Sequence, residues 1–146
     1  MAIERKDPFH GFNFAVELDG ITQMGFRACA GLESASSASP YREGTDANLT
    51  ARKIPGLVGY ANIVLSRGIT NDKALWQWRE EISKGQVTRR NISIVLRNIK
   101  GEEQIRWNVR DAWPIKWAGP AFDATSEAVG IETLELAHEG LEVQKW

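Results

Sequence analysis

The sequence predicts a mainly β fold, a β-sandwich or partly open β-barrel of six to seven strands with one α-helix at about residues 71–84. Three observations predict it. Several segments alternate apolar and polar residues with period two, one segment alone carries helical spacing, and turn residues such as Asp19-Gly20 and Lys100-Gly101 separate the runs. The length of 146 residues fits one domain, residues 1–146, which can bury about 68–70% of its unfolded surface.

In the first strand, Phe12, Phe14, Val16 and Leu18 alternate with Asn13, Ala15, Glu17 and Asp19. Asp19-Gly20 suits a tight hairpin, because that turn needs a positive φ that Asp tolerates and Gly adopts freely. A second strand is expected over about Ile21 to Cys29. After Gly31 the texture changes: Ser34, Ser36, Ser37, Ser39 and Pro40 open a stretch with no sustained period, a long loop at about residues 32–60. Loops of this length are usually functional or disordered. The apolar Tyr41, Leu49, Ile54, Leu57 and Val58 argue against disorder.

Asn62 to Arg67 reads as a short strand with Ile63 and Leu65 on one face. The helix follows, capped by Thr70 or Asn71 and ended by Gly85, with Ala74, Leu75, Trp78 and Ile82 at three-to-four spacing. Asn91 to Ile99 alternates again and turns at Lys100-Gly101-Glu102. Gln104 to Arg110 returns with Ile105, Trp107 and Val109 on one face and Gln104, Arg106, Asn108 and Arg110 on the other. Trp113 to Trp117 forms a separate extended segment in which Pro114 needs an edge, a bulge or a strand start. The last strand, about Ala128 to His138, slips in phase: Val129 and Ile131 have one parity, Leu134 and Leu136 the other. A β-bulge near Glu132 and Thr133, or cover on both faces from a second copy, would account for it. Leu141, Val143 and Trp146 leave an adhesive tail.

Composition excludes several functions. The formal net charge of -1 gives no positive field for phosphate backbones. No apolar run approaches membrane-spanning length, so no direct membrane insertion is expected, and Met1 to Phe9 lacks the apolar stretch of a secretory signal. The single cysteine, Cys29, suits synthesis in a reducing cytoplasm and reads as a small buried hydrophobe. Two histidines, His10 and His138, with that one cysteine fall short of a zinc set. There is no nucleophile elbow, and Glu80-Glu81 and Glu102-Glu103 are adjacent pairs that diverge instead of converging on one bond. No glycine spacing cradles a phosphate. No catalytic residue, metal or cofactor is assigned, and no enzyme activity is expected. Six tryptophans remain, each able to bury on the order of 150–250 Å² in a core or interface. Self-assembly is the leading reading, and a soluble small-ligand-binding β-barrel with tryptophans around its pocket is the alternative.

The order of segments resembles one family across nearly the whole chain. Asp7-Pro8-Phe9 leads into Phe12 to Gly20, followed by Ala30-Gly31-Leu32-Glu33, Tyr41-Arg42-Glu43-Gly44 and Arg52-Lys53-Ile54-Pro55-Gly56. Arg67-Gly68-Ile69-Thr70 precedes the Trp-containing helix, and Ile131 to Gly140 closes the series. The chain resembles the tail tube proteins of contractile phages and the inner-tube proteins of extracellular contractile injection systems, a group also similar to Hcp.

That resemblance implies a homo-hexameric ring in which each copy gives one sheet to a continuous barrel, with rings stacked into a tube. It implies as partners a contractile sheath protein, baseplate or hub proteins, a tube terminator or cap, and a lumen cargo of effector protein or phage DNA. Synthesis in the bacterial cytoplasm and assembly in a phage tail or extracellular phage tail-like particle follow from it. Four strands per copy, 24 in all, give a backbone diameter of about 50 Å and a lumen of about 40 Å. On this basis Tyr41, Arg42, Leu49, Arg52, Lys53, Ile54, Pro55 and Leu57 are expected at a ring-stacking interface. Leu75, Trp78 and Ile82 form the covering helix, and Leu134, Leu136, Leu141, Val143 and Trp146 make intra-ring or tail contacts.

Overall fold

The computed structural model describes residues 5–19 and 21–146, with backbone alone for 21–24. Ten strands and one helix are present among them: β1 (Phe14–Leu18), β2 (Ile21–Met24), β3 (Ala28–Ala30), β4 (Ser34–Tyr41), β5 (Arg52–Tyr60), β6 (Ile63–Gly68), α1 (Ala74–Ser83), β7 (Arg90–Arg97), β8 (Glu103–Ala118), β9 (Ile131–Ala137) and β10 (Gly140–Lys145). The fold is mainly β, as expected, but six or seven strands become ten. The expected second strand divides into β2 and β3, which join different sheets. The expected loop at 32–60 is the hairpin β4–β5, and the tail is β10. The segments Gln104 to Arg110 and Trp113 to Trp117 are one strand. β1 and β2 pair antiparallel, with Leu18 opposite Ile21; Gly20 of the expected Asp19-Gly20 turn lies outside the described residues.

β8 organises the body, because its two halves belong to two sheets. Its first half pairs with β7 on one side and β10 on the other, continuing through β1 to β2. Its second half pairs with β9, which continues to β6 and β3. The strand bends at Asp111, whose φ of 53° is in the left-handed region that Asp adopts more readily than most residues. The Asp111 amide donates to Asn91 Oδ1 at 3.2 Å, fixing the bend against β7.

The two sheets enclose one core. Val16, Leu18, Ile92, Ile94 and Val109 meet Ile63, Leu65, Leu134 and Leu136 there, with Ala112 at the bend and Leu75 and Trp78 from α1. Trp78 Nε1–H donates to the Thr88 carbonyl at 2.8 Å, so the indole is buried without an orphaned donor. Neither Thr70 nor Asn71 caps the helix. It begins at Ala74, whose amide donates to Asp72 Oδ1 at 3.1 Å, while Arg67 donates to the Asp72 carbonyl at 2.8 Å.

The phase slip expected in the last strand has a different origin. β9 runs in unbroken register against β6 from Ile131 to Leu136, with Glu132, Leu134 and Leu136 facing the core in one phase. Glu132 is the inward residue, paired with Arg67 directly across the ladder and accepting from Trp117 Nε1–H at 3.1 Å. A carboxylate this deep is tolerable because both its oxygens are occupied and its charge is neutralised. The β-bulge lies on β8 instead, between Pro114 and Lys116. There Pro114 owes the ladder no donor.

Candidate assembly interface

Two surfaces are candidates for contact beyond the chain itself. The first is the outer face of the β1–β7–β8–β10 sheet. Val16, Ile92 and Val109 point inward, so alternation turns Glu17, Ser93 and Asn108 to the opposite face. The register aligns Glu17, Ser93, Asn108 and Glu142 in one row across four strands. Ser93 Oγ donates to Asn108 Oδ1 at 2.9 Å, and Asn108 Nδ2 donates to Gln144 Oε1 at 2.8 Å. In the next row Arg106 bridges Glu17 at 2.9 Å and Glu103 at 2.6 Å. Hydrogen bonding from Arg106, and then its charge with those of Lys145 and Arg97, holds the Glu103 carboxyl below the ordinary range. The guanidinium in turn is raised, first by Glu17 and then by Glu103. These rows are therefore hydrogen-bonded across their strands, with Ala15 and Val95 as buried apolar members of the Arg106 row. At the sheet's margins the outer edges of β2 and β10 are unpaired among the described residues.

The second surface is the arm, β4–β5. It leaves the body at Gly31, where φ is +104° and a Cβ would be 2.0 Å from the Asn62 carbonyl oxygen, so only glycine fits the root. It returns at Ala61, whose amide donates to the Glu33 carbonyl at 3.3 Å. Both strands are exposed along their length, Tyr60 at the root excepted. Asp46 organises the tip: its carboxylate accepts from Arg52 at 2.6 Å and from the Glu43 amide at 3.0 Å. Arg42 donates to the Asn48 and Asp46 carbonyls at 3.0 and 3.2 Å.

All eight residues expected at the stacking interface lie on this arm and are exposed. Tyr41, Leu49, Ile54, Leu57, Lys53 and Pro55 are free of the body, whereas Arg42 and Arg52 brace the tip. The tail group divides. Leu134 and Leu136 are fully buried in the core, which corrects their placement as contact residues. Leu141 packs against the core, and Val143 and Trp146 remain exposed, with Trp146 set edge-on to Trp107 at 6.3 Å. In the covering group, Leu75 and Trp78 are core residues and Ile82 is half-buried.

The arm root at Gly31, the tip residue Asp46 and the Arg67–Glu132 pair escaped the sequence reading. A usable signal existed only for the last, since Glu132 keeps phase with Leu134 and Leu136. Burial pushes the Cys29 thiol up to about 11, which leaves it unreactive at neutral pH. The tryptophans do not line one pocket: Trp78 is in the core, Trp76 stacks edge-on against Trp117 at 4.9 Å, and Trp107 faces Trp146. No group of three or more His, Cys, Asp or Glu could hold a metal among the described residues. No helix among them is long and apolar enough to cross a membrane.

Residues 10–142 match the family described as T4-like virus tail tube protein gp19. Among solved structures, a chain of the anti-feeding prophage cap, described as a tube terminating cap, superposes with a TM-score of 0.89 at 32% identity, covering 100% of this chain and 97% of that one. A chain of the sheath–tube complex of the extracellular contractile injection system PVC, in its extended state, gives 0.85 at 29% identity, covering 95% and 93%. Hcp1 from Flavobacterium johnsoniae shares the fold, with a TM-score of 0.59 at 13% identity over 92% and 97%. No curated protein sequence matches the chain.

Proposed function

The chain belongs to the T4-like virus tail tube protein gp19 family, and from that premise we propose that it is the inner-tube subunit of a contractile, phage tail-like injection system, six copies closing into a ring and rings stacking into a tube. The observation that carries the reading is a sheet with polar rows hydrogen-bonded across its strands and with edges at β2 and β10 that are unpaired among the described residues. Open edges invite uncontrolled pairing, and closing a ring edge to edge removes them. The polar rows through Glu17, Ser93, Arg106 and Asn108 then face a water-filled lumen, with their apolar backs on the core. Five strands per copy in place of four raise the backbone diameter to about 60 Å. That width passes duplex DNA or a folded effector protein.

Leu141, Val143 and Trp146 on and after β10 fit the contact between neighbours in a ring, and the arm at 34–60 fits the contact between rings. Residues 1–146 act as one tail tube domain in this reading. The similar chains come from assemblies described as a cap, a sheath–tube complex and a baseplate, which supports a sheath, a baseplate and a terminator as partners. It supports equally an extracellular phage tail-like particle; synthesis in a bacterial cytoplasm belongs to the same proposal. The subunit stays monomeric or in small oligomers until a baseplate nucleates polymerisation.

Cryo-EM of the native particle, together with the purified subunit with and without its baseplate, tests this. Stacked six-fold rings with Ser93 and Asn108 on the channel wall are expected. A chain located outside any hollow cylinder, or solitary at every concentration, overturns it.

A further inference from the structure

His138, in the turn between β9 and β10, is set between two backbone carbonyls. Its Nδ1 lies 3.1 Å from the Gly140 oxygen, where β10 begins, and its Nε2 lies 2.9 Å from the Ala61 oxygen, where the arm rejoins the body. A carbonyl oxygen can only accept, whereas a neutral imidazole carries one N–H and one lone pair. The neutral ring therefore satisfies one carbonyl and turns its lone pair on the other, while the imidazolium donates to both. Tyr60, the half-buried residue at the arm root, has its ring centroid 5.5 Å from the imidazole, within the distance over which an aromatic ring attracts a cation.

The other titratable groups on the segments adjoining the ring are Glu33, Arg110, Asp111, Glu135 and Glu139. Arg110 is turned to the Glu139 carbonyl at 2.9 Å, and Glu135 accepts from Asn62 at 3.2 Å. The two carbonyls are thus the acceptors that the imidazole itself meets. We infer that His138 is a pH-sensitive latch between the arm and β10: the charged ring holds both segments, and loss of its second proton releases one of them. Histidine is the side chain whose charge ordinarily changes between about pH 5 and pH 8. The second N–H exists only in the charged ring, so the latch tightens as pH falls and loosens as it rises. The latch belongs to the single chain. Its use in assembly rests on the tube-subunit reading, in which it holds the arm and the ring-closing strand in one fixed relation before a neighbour arrives and so lowers the ordering cost of association.

The test follows the full, unassembled chain from about pH 8 to about pH 5. Long-range proton–nitrogen NMR of the His138 ring is expected to show both nitrogens protonated at the acid end and one at the other. A ring that keeps a bare nitrogen at the acid end overturns the latch. Exchange of the Ala61 or the Glu139 amide hydrogen, according to which carbonyl the neutral ring releases and corrected for the intrinsic rate, is expected to slow by about tenfold on acidification, the effect of one hydrogen bond from a charged donor. No slowing at either amide also overturns it. His138→Gln offers the same donors and acceptor at every pH, so the slowing is expected to vanish in that variant; its persistence there counts against the latch. Should the variant fail to fold, the ring spectrum and exchange of the wild-type chain decide alone. Baseplate-nucleated assembly, read by sedimentation at both ends of the range, is expected to be pH-dependent in the wild type, with more polymer in acid, and level in H138Q. An equal response in both removes the latch from assembly. Tubes built from a chain whose ring does not respond sink the latch and leave the tube reading standing, whereas a responsive ring in a chain that never polymerises does the reverse.

Discussion

The hairpins β7–β8 and β4–β5 begin from strands of equal length and end in opposite environments. β7 alternates over its first half, where Ile92 and Ile94 are buried in the core while Asn91 and Ser93 face out, and Val95 beyond them is buried on the other face. β4 has the same eight residues of strand and buries none of them. Alternation is thus the imprint of burial by the chain's own core. Apolar residues without alternation, in a segment that still forms a strand, mark burial that other molecules supply.

The largest expected effect contrasts ion pairs in the two regions. Glu132→Ala takes from the buried Arg67 guanidinium the carboxylate opposite it, with the Asp72 contacts remaining, and is expected to cost about 3–5 kcal/mol, whereas Asp46→Ala at the exposed arm tip is expected to cost under about 1 kcal/mol; chemical denaturation of the unassembled chain measures both. Equal losses would erase the distinction between body and arm. Leucines sharpen it next. Leu136→Ala should lose about 2–5 kcal/mol, and Leu57→Ala should stay within about 0.5 kcal/mol in the monomer while shortening tubes in a nucleated assembly.

Within the body, Asp111→Val tests the bend that lets β8 serve two sheets. A β-branched residue at positive φ is expected to cost about 1–2 kcal/mol, and Asp111→Gly much less, by the same denaturation assay. The smallest effect concerns the polar face. Arg106 depresses the Glu103 carboxyl, so the stability this gives is present above the unfolded glutamate pKa and drains away as pH falls through the folded one. Melting temperature should fall less steeply in Arg106→Gln than in the parent as pH is lowered from the unfolded glutamate pKa through the folded one.

Much of the body was legible. The strands around Phe14, Ile63, Ile92 and Ile105, and the helix through Leu75 and Trp78, follow from periodicity because each has one face on a common core. An ordered excursion was legible from apolar content in an aperiodic stretch, and the outward placement of Ile54 and Leu57 from the family resemblance; the strand conformation was not. A bulge at Gly56-Leu57 resets the phase midway, so period two never accumulates. Glu132 misled for a related reason, since an inward carboxylate reads as an outward one until Arg67 and Trp117 are seen around it.

The amino-acid sequence alone determined the β class, the helix, most strands facing the core and the family likeness carried by segments from Asp7 to Gly140. Those features depend on local spacing, which any reader of the chain can measure. Only the tertiary structure decided that β8 joins two sheets through Asp111, that Leu134 and Leu136 are core and not contact residues, and that the arm stands free on Gly31. Each of these depends on which residues meet across long separations, and a one-dimensional pattern does not record the partner that compensates a buried charge or leaves a ribbon uncovered.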